Sequence, residues 1–128
     1  MRRPARGAVG RADESGAVTA ELALGIPLLL ALTVGLVWML SLGAAQVRVI
    51  DASREAARAV ARGDDVAAAE AVASRIAPAG ATVRIGTADG QVTVTTSVHV
   101  PAPGGLLGSW RGMTVSDDAV AQLEEASE

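Results

Sequence analysis

The 128-residue chain contains no cysteine, which excludes disulfide bonds, cysteine-ligated metal sites and thiol nucleophiles. Phenylalanine and tyrosine are also missing, so Trp38 and Trp110 are the only aromatic residues. The apolar part of the composition consists mostly of Ala, Val and Leu. A small domain built from these residues has a thin core, and it needs a cover such as a long helix lying on a sheet.

Lysine is absent as well, and all 11 basic residues are arginines. The net charge of −3 gives no reason to expect nucleic-acid binding. The charge is uneven, because residues 1–16 carry four arginines and acidic residues predominate after them. Basic residues beside a membrane segment tend to stay on the cytoplasmic side. The sequence therefore predicts a cytoplasmic N-terminus and an extracytoplasmic C-terminal two thirds.

A long apolar run follows the basic start, and no charged residue occurs from Leu22 through Val47. Residues 22–45 are long enough to span a bilayer, for which about 20 helical residues suffice. Pro27 lies inside this run and is predicted to kink the helix near its start. The competing interpretation is a secretory signal peptide cut before Gln46, although the run is longer than the roughly 7–15 residues of a signal-peptide core.

The junction between the basic start and the apolar run contains Gly16, Ala17 and, five residues after the glycine, Glu21. A carboxylate at the edge of a bilayer is costly unless it is paired or solvated. Cleavage after Gly16 would free an α-amino group on Ala17, one helical turn from Glu21. The two charges would then pair within one chain or between neighbouring chains. Alternatively, Glu21 is only a first-turn acid favoured at a helix N-terminus.

Beyond the membrane run, residues 46–62 are rich in Ala and Arg and predict a continuing helix. Its domain-facing residues are expected to be Val47, Ile50 and Ala57. Gly63 is a plausible stop, and Asp64 or Asp65 a plausible cap for the next helix. That helix is predicted over residues 66–76, with Ala69, Val72, Ala73 and Ile76 facing inward.

The remainder of the sequence predicts strands. Residues 82–86 and 91–100 alternate between apolar and polar side chains, and Asp89-Gly90 between them is typical of a tight hairpin. A third strand is predicted over residues 113–123, with Asp117 as an interruption. The fold class is therefore α+β.

Three arginines, Arg54, Arg58 and Arg62, recur at helical spacing and form a stripe on one face. Asp51 and Glu55 precede the first two at i,i+3, so a solvated, salt-bridged face is favoured over a partner-binding surface.

Signals for chemistry are missing from the sequence. His99 is the only histidine, and its strand pattern places it on the polar face without a catalytic partner. No nucleophile motif, metal-ligand spacing or nucleotide-binding fingerprint occurs, so no enzyme activity, cofactor, metal or small-molecule substrate is expected. Trp110 is expected to close the thin core, with membrane or partner contact as the alternatives.

The segment from Gly16 through Leu24, followed by Pro27 and the apolar run, resembles TadE-like minor pilins. The stretch Asp-Ala-Ser-Arg-Glu-Ala-Ala-Arg at residues 51–58 and the Arg-Gly pair at 62–63 are similar to the family as well. Many type IV pilins begin with a bulky apolar residue where this chain has Ala17. Major pilins of this system usually have an aromatic residue where this chain has Leu22. Both differences favour a minor pilin over a major one.

The resemblance implies a pilin-like fold: a long transmembrane helix extending into a small antiparallel β-sheet domain. It implies a pseudopilin cut by a prepilin peptidase and used in assembling tight-adherence type IV pili. The expected partners are membrane lipid, the peptidase, other pilin and pseudopilin subunits and the pilus assembly platform. The expected divisions are an irregular leader peptide over residues 1–16, a transmembrane helix over 17–45 and an extracytoplasmic domain over 46–128. The alternative is an uncut single-pass accessory protein of a secretion complex.

Overall fold

A computed structural model describes residues 9–104 and 110–124. Two helices, α1 (Val9–Ala61) and α2 (Val66–Ile76), precede three strands, β1 (Thr82–Ala88), β2 (Gln91–Pro101) and β3 (Gly112–Gln122). The strands form one antiparallel sheet in the order β1-β2-β3. This architecture confirms the α+β prediction. The chain divides into two compact units, one up to Leu36 and one from Val37 onward.

The first unit contains the N-terminal part of α1, which is already helical at Val9. The sequence predicted an irregular leader over residues 1–16, and this is wrong for residues 9–16. Arg11, Ala12 and Glu14 in this stretch are good helix formers, and they favour the continuation of the helix toward the N-terminus. Arg2, Arg3 and Arg6 of the predicted leader lie outside the described residues.

Helix α1 ends at Ala61, two residues before a glycine whose backbone conformation stops the helix. Gly63 has a positive φ of 94°, which residues with a Cβ rarely adopt. Its N–H donates to the carbonyl of Val60 at 2.9 Å, and the N–H of Asp64 donates to that of Ala59 at 3.0 Å. These two bonds form a Schellman motif. Asp65 then occupies the N-cap position of α2, although its side chain makes no cap hydrogen bond.

The hairpin between β1 and β2 turns at Asp89 and Gly90, as predicted. Both residues have positive φ, 52° and 73°, which is the requirement of a two-residue type I′ turn. The chain that follows β3 returns to this end of the sheet. The N–H of Leu123 donates to the carbonyl of Gly90 at 2.9 Å, and that of Glu124 to the carbonyl of Ala61 at 3.2 Å.

The core lies between α1, α2 and one face of the sheet, and its fully buried positions are small residues. Its inward positions on α1 recur at residues 45, 49, 52, 56 and 59, a spacing of three and four that follows one side of a helix. Val47 lies on the opposite side and is 58% exposed, so its predicted inward orientation is wrong. Ile50 is half-buried and Ala57 is buried. The buried residues of the sheet are Val92, Val94, Thr96 and Val98.

Strand β3 is continuous across Asp117, so the predicted interruption is wrong. Asp117 pairs with Thr96 of β2 and shares the inward, half-buried phase of Val115 and Ala119. Its backbone carbonyl accepts a hydrogen bond from the Ser53 hydroxyl of α1 at 3.2 Å. A line of polar groups therefore crosses the otherwise apolar helix–sheet interface.

Candidate assembly and processing site

Gly16, Ala17 and Glu21 lie on the N-terminal part of α1 and are all exposed. A Cβ added at Gly16 would meet no atom within 4 Å. Ala17 and Glu21 are four residues apart, so they share one face of the helix about one turn from each other. Within residues 9–104 and 110–124, no arginine nitrogen lies within 4.0 Å of the Glu21 carboxylate. The carboxylate is accessible to a cation at Ala17 or on another chain.

The apolar part of α1 is long and apolar enough to cross a membrane. Only 6% of its most apolar 18-residue window is buried, whereas the core helix of a soluble protein is mostly buried. Its side-chain hydroxyls are satisfied locally. Thr33 Oγ1 donates to the carbonyl of Leu29 at 2.8 Å, and Ser41 Oγ to that of Val37 at 3.0 Å. Such bonds suit a lipid environment, where no water replaces a missing partner.

Pro27 lies inside α1, and the helix runs through it without interruption. Its ring removes one backbone donor, as the sequence indicated. The predicted kink stays a prediction, as do the processing role of Gly16 and Ala17 and the pairing role of Glu21.

The arginine stripe is partly neutralised by nearby acids. Glu55 lies 4.0 Å from Arg58 and 3.8 Å from Arg62, and Arg62 also lies 3.7 Å from Asp64. Among the described residues Arg54 forms no such pair, although Asp51 precedes it at i,i+3. All these pairs are exposed, and each contributes about 0–1 kcal/mol to stability.

A groove of about 350 Å³ lies along this stripe. Its lining combines two acidic with two basic side chains, and a single apolar side chain of α2 completes it: Asp51, Arg54, Glu55, Arg58 and Ile76. Because the charges balance, the groove selects neither an anion nor a cation. A partner-binding role for Arg54, Arg58 and Arg62 therefore stays a prediction.

His99 of β2 is exposed, and its ring contacts the neighbouring chain segment at Arg111 and Thr114. Its Nε2 lies 3.2 Å from the carbonyl of Arg111, and its Nδ1 lies 3.3 Å from the hydroxyl of Thr114. A carbonyl only accepts, so Nε2–H donates to Arg111; in the neutral ring Nδ1 then accepts from the Thr114 hydroxyl. In the part of the chain that the structure describes, no three acidic or histidine residues lie close enough to hold a metal ion.

The two tryptophans form a contact that the sequence did not predict. Trp38 of α1 is 9% exposed, and its Nε1–H donates to the carbonyl of Pro101 at 2.9 Å. Its ring meets that of Trp110 edge to face, with centroids 4.9 Å apart and an interplanar angle of 71°. Trp110 itself remains 50% exposed. Trp110 therefore contacts a core residue through one edge and presents apolar surface outward, and its expected role in closing the core stays a prediction.

The chain that carries Trp110 re-enters the sheet through Gly112, whose φ is 119°. A Cβ at this position would collide with the carbonyl oxygen of Val100 and lie 2.8 Å from Pro101 Cα. Only glycine therefore permits this return. The glycine indirectly positions Trp110 against Trp38.

Residues 16–58 match a protein family described as TadE-like protein. The match covers the junction, the apolar run and the arginine-bearing part of α1 up to Arg58. No curated protein and no solved structure matches the chain. The predicted resemblance is therefore confirmed over these residues, which form a TadE-like domain. This family is structural, pilin-like and associated with the Tad pilus; it is not enzymatic.

Proposed function

We propose that this chain, whose residues 16–58 form a TadE-like domain, is a minor pilin (pseudopilin) that is cut by a prepilin peptidase and takes part in assembling tight-adherence pili. The observation that carries the proposal is the register of Gly16 and Glu21 on an exposed helix directly before an unburied apolar run. A soluble protein has no use for such a run.

The proposed role of Glu21 depends on the environment of the helix. Hydrolysis of the Gly16–Ala17 bond leaves an α-ammonium group on Ala17, one turn from the Glu21 carboxylate. In water an i,i+4 ion pair contributes about 0.3–0.5 kcal/mol. In the low dielectric of a bilayer or a filament interior the same charges interact several times more strongly. The pair therefore acts during insertion and assembly, where it fixes the axial register between neighbouring subunits.

In the proposed arrangement, the N-terminus lies in the cytoplasm and the chain crosses the inner membrane once. The arginine-rich start supports this orientation, because basic residues resist translocation. The sheet domain is then extracytoplasmic until the subunit enters a pilus. Its proposed partners are lipid, the peptidase, other pilin and pseudopilin subunits and the assembly platform.

A secreted domain cut before Gln46 is disfavoured by the packing of the second unit. That unit begins at Val37, and its core includes Trp38 and Ala45, which are 9% and 7% exposed. Cleavage before Gln46 would remove both side chains, leave the carbonyl of Pro101 without its indole donor and expose Trp110 further.

The N-terminal sequence of the protein recovered from its native host tests processing. We expect it to start at Ala17. A chain that retains Met1 or Arg2 would contradict processing and favour the uncut membrane anchor, and one that starts at Gln46 would indicate secretion. Gly16→Leu should block the cut. Gly25→Leu is the matched control, since it adds the same side chain to the same helix where nothing lies within 4 Å.

The assembly role is tested separately with Glu21→Gln, which keeps the size of the side chain and removes its charge. We expect normal membrane insertion and normal processing, but reduced recovery of the protein or of its pili in sheared surface fractions. Glu70→Gln, which neutralises an exposed acid on α2, is the control. If Glu21→Gln and Glu70→Gln both assemble like the parent, Glu21 does not set the register.

A further inference from the structure

The end of the sheet domain that carries Trp110 is built around helix residues that belong to the apolar run. Trp38 lies seven residues before Ala45, which corresponds to about 10 Å along the helix axis. Residues from both ends of the β2–β3 connection contact it there: Pro101 through its carbonyl and Trp110 through its ring. This end of the domain therefore lies at a level that the sequence assigned to the membrane.

The helix remains apolar and exposed around this contact. Val37, Met39 and Leu40 flank Trp38 and are 59%, 65% and 75% exposed. Domain residues thus cover one side of this helical turn, while its other sides present side chains suited to lipid. The half-exposed indole of Trp110 contacts Trp38 of this same turn.

Two exposed arginines lie at different distances from the tryptophans, since Arg48 is ten residues, or about 15 Å of helix, beyond Trp38. Arg111 directly follows Trp110, and Arg48 lies one turn beyond Ala45 on α1. Arg48 also lines a crevice of about 320 Å³ with Ser41, Ala44 and Pro78. Indole rings with a polar N–H concentrate at bilayer interfaces, and arginines at that level attract anionic headgroups. The half-exposed ring of Trp110 next to the cationic Arg111 therefore fits a phospholipid surface.

We infer that this end of the domain, formed by Trp38, Trp110 and Arg111, is a lipid-interface anchor that binds the headgroup region of the outer leaflet. It would place the edge of the hydrocarbon near Trp38. About 20 residues span the hydrocarbon, and residues 18–37 supply them. The anchor thereby fixes the depth of the subunit and the height of its sheet above the membrane. The inference rests on the proposed membrane insertion.

The test uses the full chain in phosphatidylcholine–phosphatidylglycerol vesicles. Because tryptophan is the only strongly fluorescent side chain type here, subtracting the emission of Trp110→Phe from that of the parent isolates Trp110. Lipids brominated near the glycerol end of the acyl chain quench indoles at the interface, and iodide quenches those in water. The matched control is Val120→Trp in the Trp110→Phe background. Val120 lies at the far end of β3 and is 61% exposed.

We expect brominated lipid to reduce the Trp110 signal and iodide to leave it nearly unchanged, with the reverse for the indole that Val120→Trp introduces. Quenching of Trp110 by iodide alone would overturn the inference, because the ring would then face water. Protection from both quenchers would overturn it as well. If that protection rises with the protein-to-lipid ratio, a second copy covers Trp110; if it does not, the chain itself does.

Flotation of the vesicles separates this inference from the proposed function. A chain that does not float with the vesicles contradicts the membrane span itself. A chain that floats, but whose Trp110 signal is unaffected by brominated lipid, retains the span and loses the anchor.

Discussion

The Thr96 hydroxyl is a buried group without a partner, and replacing it should stabilise the protein. Thr96 is 0% exposed, and its Oγ1 has no hydrogen-bond partner among the described residues. It lies on the inward face of β2 between Val94 and Val98, opposite Asp117 of β3. The nearby Ser53 hydroxyl is already bonded to the Asp117 carbonyl.

The expected size of the effect follows from desolvation. Burying a hydroxyl without a hydrogen bond costs about 1–3 kcal/mol. Thr96→Val replaces the hydroxyl with a methyl group of similar size and leaves the β-branched shape unchanged. We expect the free energy of unfolding to rise by about 1–2 kcal/mol. For a domain of this size that corresponds to an increase in Tm of roughly 4–8 °C per kcal/mol.

The assay is thermal unfolding of the full chain in detergent micelles, followed by tryptophan emission. Both tryptophans report on the second unit, since Trp38 and Trp110 contact each other across it. Thr93→Val is the matched control. It makes the same change on the exposed face of the same strand, and so measures the difference in β-propensity alone.

A decrease in Tm for Thr96→Val, with Thr93→Val neutral, would refute the reasoning. It would mean that the Thr96 hydroxyl has a hydrogen-bond partner that stabilises the native state. Equal increases for both variants would mean that strand propensity, and not the buried hydroxyl, accounts for the gain.

Two further substitutions test the geometry of the domain. Gly112→Ala should lower the free energy of unfolding by at least about 2 kcal/mol, because it adds strain at positive φ to a backbone collision. Gly86→Ala is the control, since a Cβ there meets no atom within 4 Å, and it should change the free energy of unfolding by far less. Denaturant titration of both variants measures the difference. Ser53→Ala removes the hydrogen bond to the Asp117 carbonyl. It should leave the protein about 1 kcal/mol less stable than Ser74→Ala, which makes the same change on an exposed face of α2. Equal stabilities of the two variants would contradict a contribution from that hydrogen bond.

The elements of the fold with strong local signals were predictable from the sequence. Helix α2 has the predicted bounds, and the Asp89-Gly90 turn lies between two strands where positive φ is required. The inward face of α1 was not predictable in the same way. Val47 and Val49 are equally apolar, yet Val47 is exposed and Val49 is buried. Near a membrane both lipid and core favour apolar residues, so hydrophobicity does not identify the side that faces the domain.

An aspartate inside the sheet, Asp117, was a second source of error. Thr96 continues the inward phase of the valines, and Asp117 continues the inward phase of β3. A charged residue in this phase was predicted to interrupt the strand, although the strand continues through Asp117. At the candidate site, the Gly16–Glu21 junction was recognisable because it is local. The contact between Trp38 and Pro101 joins residues 63 positions apart, and no local pattern predicts a pairing over that distance.

The closure of β3 onto earlier parts of the chain determines when the domain can become stable. Strand β3 leaves the ribosome after the helices and the other two strands, yet it completes the sheet, and the residues after it bond to Gly90 and to Ala61 at the end of α1. In the arrangement proposed above, the helix is held in the membrane and its alanine-lined face stays uncovered until β3 has been translocated. Such non-local pairing is intrinsically slow. A nascent chain is consequently vulnerable to proteases and to misassociation until that strand arrives. Under the proposed function, only a chain whose β3 has crossed the membrane is ready to enter a pilus.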